Sequence, residues 1–456
     1  MLKVKRRIIP LIILSVLVFA LFSPFLLDSS AKAFYTESQR ETERAVHWLR
    51  TSEDVSASVT LHDNDPYVYF LRTPLENSPQ ADETTPPVIY VWFGTNQVFG
   101  KIGTPQQWIN ILGNVSDASG INSLTYTLNG VPGSPPLSLG PDNRRLGDAG
   151  DFNIEIDKAN LNDGNNTVVI TASDNGGNVS IETVNVEYHS GNQWYLPYSI
   201  DWPVSDAQEV AQIVDGNWSW NSNGIRTEQV WYDRLIAIGD MGWDDYEVVV
   251  PVTIHSVDEI AYSLWKSGYH AAVGIILRWQ GHTDDPPLCS QPHCGWLPLG
   301  SINRFEWKQD PDSNRLRLIA EPDGSVVKTG IQLVIGNTYW FKARAETNAS
   351  GTHYYFKVWQ DGGEEPLNWT LDKQATSAEN LSNGSFLLFA HHVDATFGDV
   401  SVTSLNSSSN SLTIIKVGSG TVAKDPDQST YSKWQKVTLT AFPCLLYTSP
   451  SPRDRS

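Results

Sequence analysis

Short runs rich in Val, Ile, Thr, Tyr, Phe and Trp recur along most of this chain, with apolar and polar positions alternating inside each run. A period of two puts successive side chains on opposite faces of a strand, so the pattern predicts an all-β protein. Residues 35–50 carry many helix formers and predict one polar helix. Residues 55–61 and 67–71 alternate as short strands, and 75–87 (LENSPQADETTPP) has the composition of a linker. No long amphipathic helix stands out in the largest unit, residues 192–405.

Residues 88–190 predict strands at 88–93, 108–115, 124–128, 136–139, 152–156, 167–173 and 180–188. Asn129-Gly130, Asp163-Gly164 and Asp174-Asn-Gly-Gly-Asn178 supply the turns between them. Residues 191–405 predict strands at 234–238, 246–254, 272–279, 305–309, 316–320, 340–346, 354–360, 386–391 and 400–402. This segment holds 13 of the 17 Trp, an enrichment that suits the packed faces of a large sandwich. A flexible linker (SLNSSSNS) separates it from a last apolar stretch at 412–443.

Several runs carry resemblances. Asn114-Val-Ser-Asp-Ala-Ser-Gly-Ile121 and Ala172-Ser-Asp-Asn-Gly-Gly-Asn-Val179 resemble bacterial immunoglobulin-like domains, which implies a sandwich over 88–190 acting as a spacer or adhesion unit. Tyr232-Asp-Arg-Leu-Ile-Ala-Ile-Gly-Asp240, Trp243-Asp-Asp-Tyr-Glu247, Gly384-Ser-Phe-Leu-Leu-Phe-Ala-His-His392 and Phe397-Gly-Asp-Val-Ser-Val402 resemble concanavalin A-like, laminin-G-like jelly rolls. That fold hosts lectins, glycosidases and inert modules, so the resemblance implies architecture over 191–405 and no particular ligand. Leu412-Thr-Ile-Ile-Lys-Val-Gly-Ser-Gly-Thr-Val422 with Val437-Thr-Leu-Thr-Ala-Phe-Pro443 resembles the first half of an internalin B-type repeat. The tail 444–456 resembles translated sequencing-adapter DNA.

Charge and the N-terminus supply an address. Lys3, Lys5, Arg6 and Arg7 precede an uncharged apolar stretch at 8–27, with Ala31-Lys-Ala33 beyond it. This order reads as a signal peptide over 1–33, with an uncleaved anchor as the alternative. The expected location is therefore extracellular or at the cell surface. A formal charge of −19 disfavours nucleic acid as a partner. In an oxidising compartment Cys289 and Cys294 read as a small disulfide; a metal site with His282 and His293 is the alternative.

Chemistry is sparse. A jelly-roll glycosidase of the Glu-x-Asp-x-x-Glu type needs paired carboxylates on one strand. The partial match Glu155-Ile-Asp157-Lys-Ala-Asn160 lacks the second Glu and reads as a solvated strand end. Glu306-Trp-Lys-Gln-Asp310 has no partner at the required spacing. No catalytic residue is expected, and no cofactor beyond weak Ca²⁺ at turn residues Asp117, Asp174 or Asp240. His391-His392 lie on one strand, where alternation points their rings to opposite faces.

Three strands place cationic and aromatic side chains at alternate positions. Trp340, Lys342 and Arg344 share one face, and so do Tyr355, Lys357 and Trp359. Arg278 lies with Gly274 and Ile276, opposite Val273, Ile275, Leu277 and Trp279. Aligned, such faces offer stacking platforms and hydrogen-bond donors to a sugar ring. The reading is a non-catalytic binding or adhesion protein with a glycan or other surface ligand. A hydrolase with carboxylates on separate strands and a purely structural spacer are the alternatives.

Overall fold

Of the first 83 residues, the computed structural model describes the strands Leu2–Lys5, Ala57–Thr60 and Tyr67–Arg72. From 84 to 443 it describes all residues except 135, 143, 259–269, 284–290, 406–409, 418–419 and 432–434. The chain divides into two compact units, Met1–Glu83 and Thr84–Ser456. In the first, Tyr67–Arg72 is the centre of an antiparallel sheet with Leu2–Lys5 and Ala57–Thr60 on its two sides. The rest of the expected leader, the expected helix at 35–50 and the tail 444–456 lie outside the described residues.

The second unit is all-β, with only three single-turn 3-10 segments besides its strands among the described residues. Its N-terminal part stacks a three-stranded sheet on a five-stranded one. The three-stranded sheet is Val88–Val91, Trp108–Ser116 and Asp151–Asp157, with Trp108–Ser116 central. The five-stranded sheet runs Asn96–Phe99, Val179–Tyr188, Gly164–Asp174, Ile121–Leu128 and Val131–Pro132. Ile109, Ile111, Phe152, Ile154, Val168, Ile170, Val184 and Val186 close a core between them. The expected strand at 136–139 is absent: Leu137 makes only an isolated bridge to Gln291, and Pro136 has no N–H to give to a ladder.

The larger part stacks a nine-stranded sheet on a seven-stranded one. Arg234–Ile238 and Ala272–Trp279 fall at the expected bounds, and other expected strands are extended, as at Thr338–Asn348 and Gly351–Gln360. Alternation drives the packing. Val248, Val250, Val252, Ile254, Phe341, Ala343 and Phe356 face Ile236, Val273, Ile275, Leu277, Phe305, Leu316, Phe386 and Leu388 in one continuous core. Each of the larger side chains contributes about 1.5–3 kcal/mol by leaving water. Gly420–Asp425 and Thr438–Pro443 form a separate antiparallel hairpin near the end.

The two sandwiches of this unit share a buried polar interface. Strand Asp151–Asp157 sends Phe152, Ile154 and Ile156 into its own core and turns Asp151, Asn153 and Glu155 outward, yet these three are also buried. Asn153 donates to the carbonyl of Val214 (2.8 Å) and to Asp215 (3.1 Å), and Gln212 donates to the carbonyl of Trp108 (2.8 Å).

Candidate binding face

The outward face of the nine-stranded sheet collects six of the seven residues expected to bind. Strands Thr338–Asn348 and Gly351–Gln360 pair antiparallel with Trp340 opposite Trp359, Lys342 opposite Lys357, and Arg344 opposite Tyr355. Residues directly opposite in a pleated sheet point the same way, so this register puts all six side chains on one face. The Trp340 and Trp359 rings are nearly parallel, at 16° and 6.3 Å between centroids. Indole Nε1 of Trp340 donates to Asp361 at 2.7 Å.

The cations of this face are engaged by neighbouring acids. Arg344 donates from Nε (2.8 Å) and Nη2 (2.6 Å) to Glu247 on the adjacent strand Tyr246–Val257. Lys342 pairs with Glu247 and Glu365, both at 2.9 Å, and Lys357 pairs with Glu365 at 2.7 Å. Lys357 is only 5% exposed and also donates to the carbonyl of Pro366. Trp369 lies 4.9 Å from the Lys357 ammonium and 5.1 Å from the Arg344 guanidinium. The segment after strand Gly351–Gln360 thus folds back and caps the basic part of the face. Burial alone would lower the Lys342 ammonium, but Glu247 and Glu365 hold it above its usual range.

What stays open is the end carrying the tryptophans. A cleft of about 490 Å³ begins at Trp340 and Asp361 and continues over Thr253, His255 and Arg226 to Asn221. His255 Nε2 shares a hydrogen bond with the Thr396 hydroxyl at 2.7 Å, and Arg226 forms a two-pronged pair with Asp394 at 2.9 and 2.7 Å. Burial and the Arg226 charge push the His255 imidazole down, against the pull of Asp394. The cleft combines an indole wall with amide, hydroxyl and imidazole groups, the makeup of a site for a hydroxylated ring.

Arg278 does not join this face, contrary to expectation: its strand, Ala272–Trp279, belongs to the seven-stranded sheet. A bulge between Leu277 and Trp279 breaks the alternation, and Arg278 takes φ 54. Its fully buried guanidinium bonds Asp245 (3.0 Å), Thr347 (2.9 Å) and the carbonyls of Leu381 (2.6 Å) and Asp244 (3.1 Å). Gly384 permits the bulge, because a Cβ there would lie 2.5 Å from the Arg278 carbonyl carbon. The same bulge moves Trp279 off the Leu277 face and into a smaller apolar cluster with Ile276, Leu387 and Phe389.

Two other readings change. Glu155 is no solvated strand end: it is fully buried, bonded to Arg145 (2.7 Å) and to His293 Nδ1 (2.5 Å). Burial alone would raise its carboxyl; the Arg145 charge and the His293 and Arg145 hydrogen bonds outweigh that and hold it far below the usual range. His391 and His392 come together, with rings 4.8 Å apart, because His392 leaves the strand at φ 54. They bond different acids, Asp233 at 2.7 Å and Asp258 at 3.1 Å. Among the described residues no group of three or more His, Cys, Asp or Glu is placed to hold a metal. Asp117, Asp174 and Asp240 accept from nearby backbone N–H groups of Ser119, Asn178 and Gly242. Cys294 is disulfide-bonded, and Cys289 lies outside the described residues.

Sequence reasoning missed Arg145 and Asp215, and it named His282 and His293 only as neighbours of the two cysteines, not as partners of Asp215 and Glu155. Arg145 bridges Glu155 and Asp215, His282 contacts Asp215 at 3.2 Å, and His293 stacks on Trp108 at 4.2 Å. No local spacing links Arg145 or Asp215 to the two histidines.

No family model and no curated protein matches the chain. Among solved structures, the Ca²⁺/Man2-bound exoplasmic/lumenal domain of VIP36 aligns at 10% identity and TM-score 0.30, over 55% of this chain and 97% of that one. Dimeric latent PorU from Porphyromonas gingivalis aligns at 13% identity and TM-score 0.24, over 63% of this chain and 21% of PorU. A structure described among carbohydrate-binding modules of the β-sandwich superfamily aligns at 11% identity and TM-score 0.16, over 71% and 98%. At these values no site and no ligand passes from them to this chain. Among the described residues no helix is long and apolar enough to cross a membrane.

Proposed function

We propose that this is an exported, non-catalytic glycan-binding protein whose open cleft beside Trp340 and Trp359 receives neutral sugar rings. The observation that carries the reading is the near-parallel Trp340–Trp359 pair, whose Trp340 ring lines a cleft with Asn221, His255 and Asp361. The C–H face of a pyranose packs on an indole, and its hydroxyls exchange hydrogen bonds with Asn221, His255 and Asp361. A binding role also accords with the buried acids Glu155, Asp215 and Glu306, each engaged by a cation. Calcium is not required by this reading.

In the same reading 88–190 is an immunoglobulin-like module, 191–405 a concanavalin A-like jelly roll and 412–443 part of an internalin B-type repeat. The leader-like N-terminus supports export. The test is titration calorimetry of the purified chain against a panel of neutral oligosaccharides, repeated with Trp340→Ala and Trp359→Ala. Saturable binding that both variants weaken supports the reading. An absence of binding to every neutral glycan, or binding indifferent to both substitutions, rejects it.

A further inference from the structure

On the opposite outer face of the large sandwich, one carboxylate is surrounded by cations. Glu306 is fully buried and lies 2.8 Å from Arg304, 2.6 Å from Arg315, 3.3 Å from Lys308, 3.5 Å from Arg317 and 2.7 Å from His270. The strand register explains the gathering. Ser301–Glu306 and Arg315–Ala320 pair with Glu306 opposite Arg315 and Arg304 opposite Arg317, all on the outward face. Four permanent cations therefore share one acid, in a chain whose net charge is −19. The charges acting most strongly on Lys308 are Glu306, Arg315 and Arg304; burial first, and then those arginines, hold its ammonium below the usual range.

This cationic surplus borders a cleft of about 290 Å³, the room of one or two rings. Its floor is apolar, made of Ile276, Ile302 and Phe389. Gly274 lies between Phe389 and Arg304 in the sheet register, and a Cβ there would fall 2.8 Å from the Arg304 Cα. Arg304 and His270 stand on one rim. Arg304 uses Nε and Nη2 on Glu306, and its Nη1 is left over from those bonds. The other rim holds Asp233, paired with His391 at 2.7 Å.

We infer that this cleft binds a pyranose carrying an anionic substituent, a carboxylate or a sulfate, with the substituent at Arg304. The ring lies on Ile276, Ile302 and Phe389, and a hydroxyl at its far end donates to Asp233. Guanidinium groups suit planar or tetrahedral oxyanions, whereas a lone ammonium would serve as a point charge. A nucleic acid backbone does not suit the site, because the rest of the surface repels it. The choice of a sugar rests on the glycan-binding reading above; the choice of an anion rests on the Glu306 cluster alone.

The experiment is calorimetry of the full chain with a galacturonate disaccharide, a sulfated galactose disaccharide and the neutral galactose disaccharide. Arg304→Gln and Arg317→Gln are titrated beside the wild type, with thermal melts to verify folding. We expect at least one acidic disaccharide to bind tenfold or more tightly than the neutral one, with the gap narrowing as salt is raised. Arg304→Gln removes the gap and Arg317→Gln reduces it about threefold, as expected for a cation at the edge of the field. Selectivity for the carboxylate or for the sulfate tells the two sources apart, and either sustains the inference. Equal binding of acidic and neutral sugars, binding of neither, or a folded Arg304→Gln that keeps the gap overturns it. If Arg304→Gln does not fold, an unchanged gap in Arg317→Gln overturns it. Trp340→Ala leaves the acidic-sugar isotherm unchanged, so failure here and failure of the Trp340 cleft are read separately.

Discussion

Arg145 and Asp215 belong to different sandwiches of the second unit and meet at 2.7 Å, with side chains 4% and 0% exposed. The same guanidinium holds Glu155 and the carbonyl of His293, so one side chain joins three segments. Removing it leaves two buried carboxylates without their main counter-charge. Arg145→Ala is expected to cost about 3–5 kcal/mol, read as a lowered urea midpoint. Arg145→Lys recovers only part of this, because an ammonium cannot reproduce the fork that reaches Glu155 and Asp215 together. A variant as stable as the wild type would show that the two sandwiches do not depend on this contact.

Glu155 sets an acid limit on stability. Its carboxyl is held far below the usual value of 4.5 in the folded chain. A depressed carboxyl contributes stability that is full above the unfolded-state value and is lost as pH falls toward the folded one. Stability should therefore decline below about pH 4.5 as the unfolded chain takes up protons more readily. Glu155→Gln lowers the denaturation midpoint at neutral pH, and its deficit against the wild type shrinks in acid. Glu306 behaves in the same sense: burial alone would raise it, while the His270 hydrogen bond and Arg304 charge hold it low. A deficit that is constant across this range would contradict the assignment.

Arg278 is expected to matter for folding and not for ligand. Its guanidinium satisfies Asp245, Thr347 and two backbone carbonyls from within the sandwich. Arg278→Ala strands those acceptors and destabilises by about 3 kcal/mol or more. Where the variant stays folded, its affinity for any sugar bound by the wild type is unchanged. A selective loss of affinity at full stability would return Arg278 to the binding face.

Trp340 and Trp359 make the reverse prediction. Both are half-buried on an outward face, so truncating either costs about 1 kcal/mol of stability. Affinity for a neutral glycan falls about tenfold, equivalent to about 1.4 kcal/mol. Lys342→Ala has a smaller effect on binding, because its ammonium is already paired with Glu247 and Glu365. Calorimetry and thermal melts on the same samples separate the two quantities.

Period-two alternation was enough to put Trp340, Lys342 and Arg344 on one face of their strand and Tyr355, Lys357 and Trp359 on one face of theirs; the pairing register joined the two sets. Side-chain direction along a regular strand is a local property, and so is the all-β character of the chain. The alternation rule failed at Arg278 and Trp279, where a bulge inserts one residue and reverses the facing of the strand beyond it. It was also silent on capping: Glu365 and Trp369 reach Lys357 only because the segment after the strand folds back over the sheet.

Asp151, Asn153 and Glu155 mark the limit of the sequence most clearly. Alone, the run Asp-Phe-Asn-Ile-Glu-Ile-Asp specifies a strand with one apolar and one polar face, and nothing in it tells water from a buried partner. That distinction was made by Arg145, Asp215, His282 and His293, brought from distant positions once both sandwiches had packed. Local periodicity determined the strands, their faces and the all-β class of this protein. Only the tertiary structure decided which polar faces stay wet, because desolvation depends on what packs against a face and not on the residues that form it.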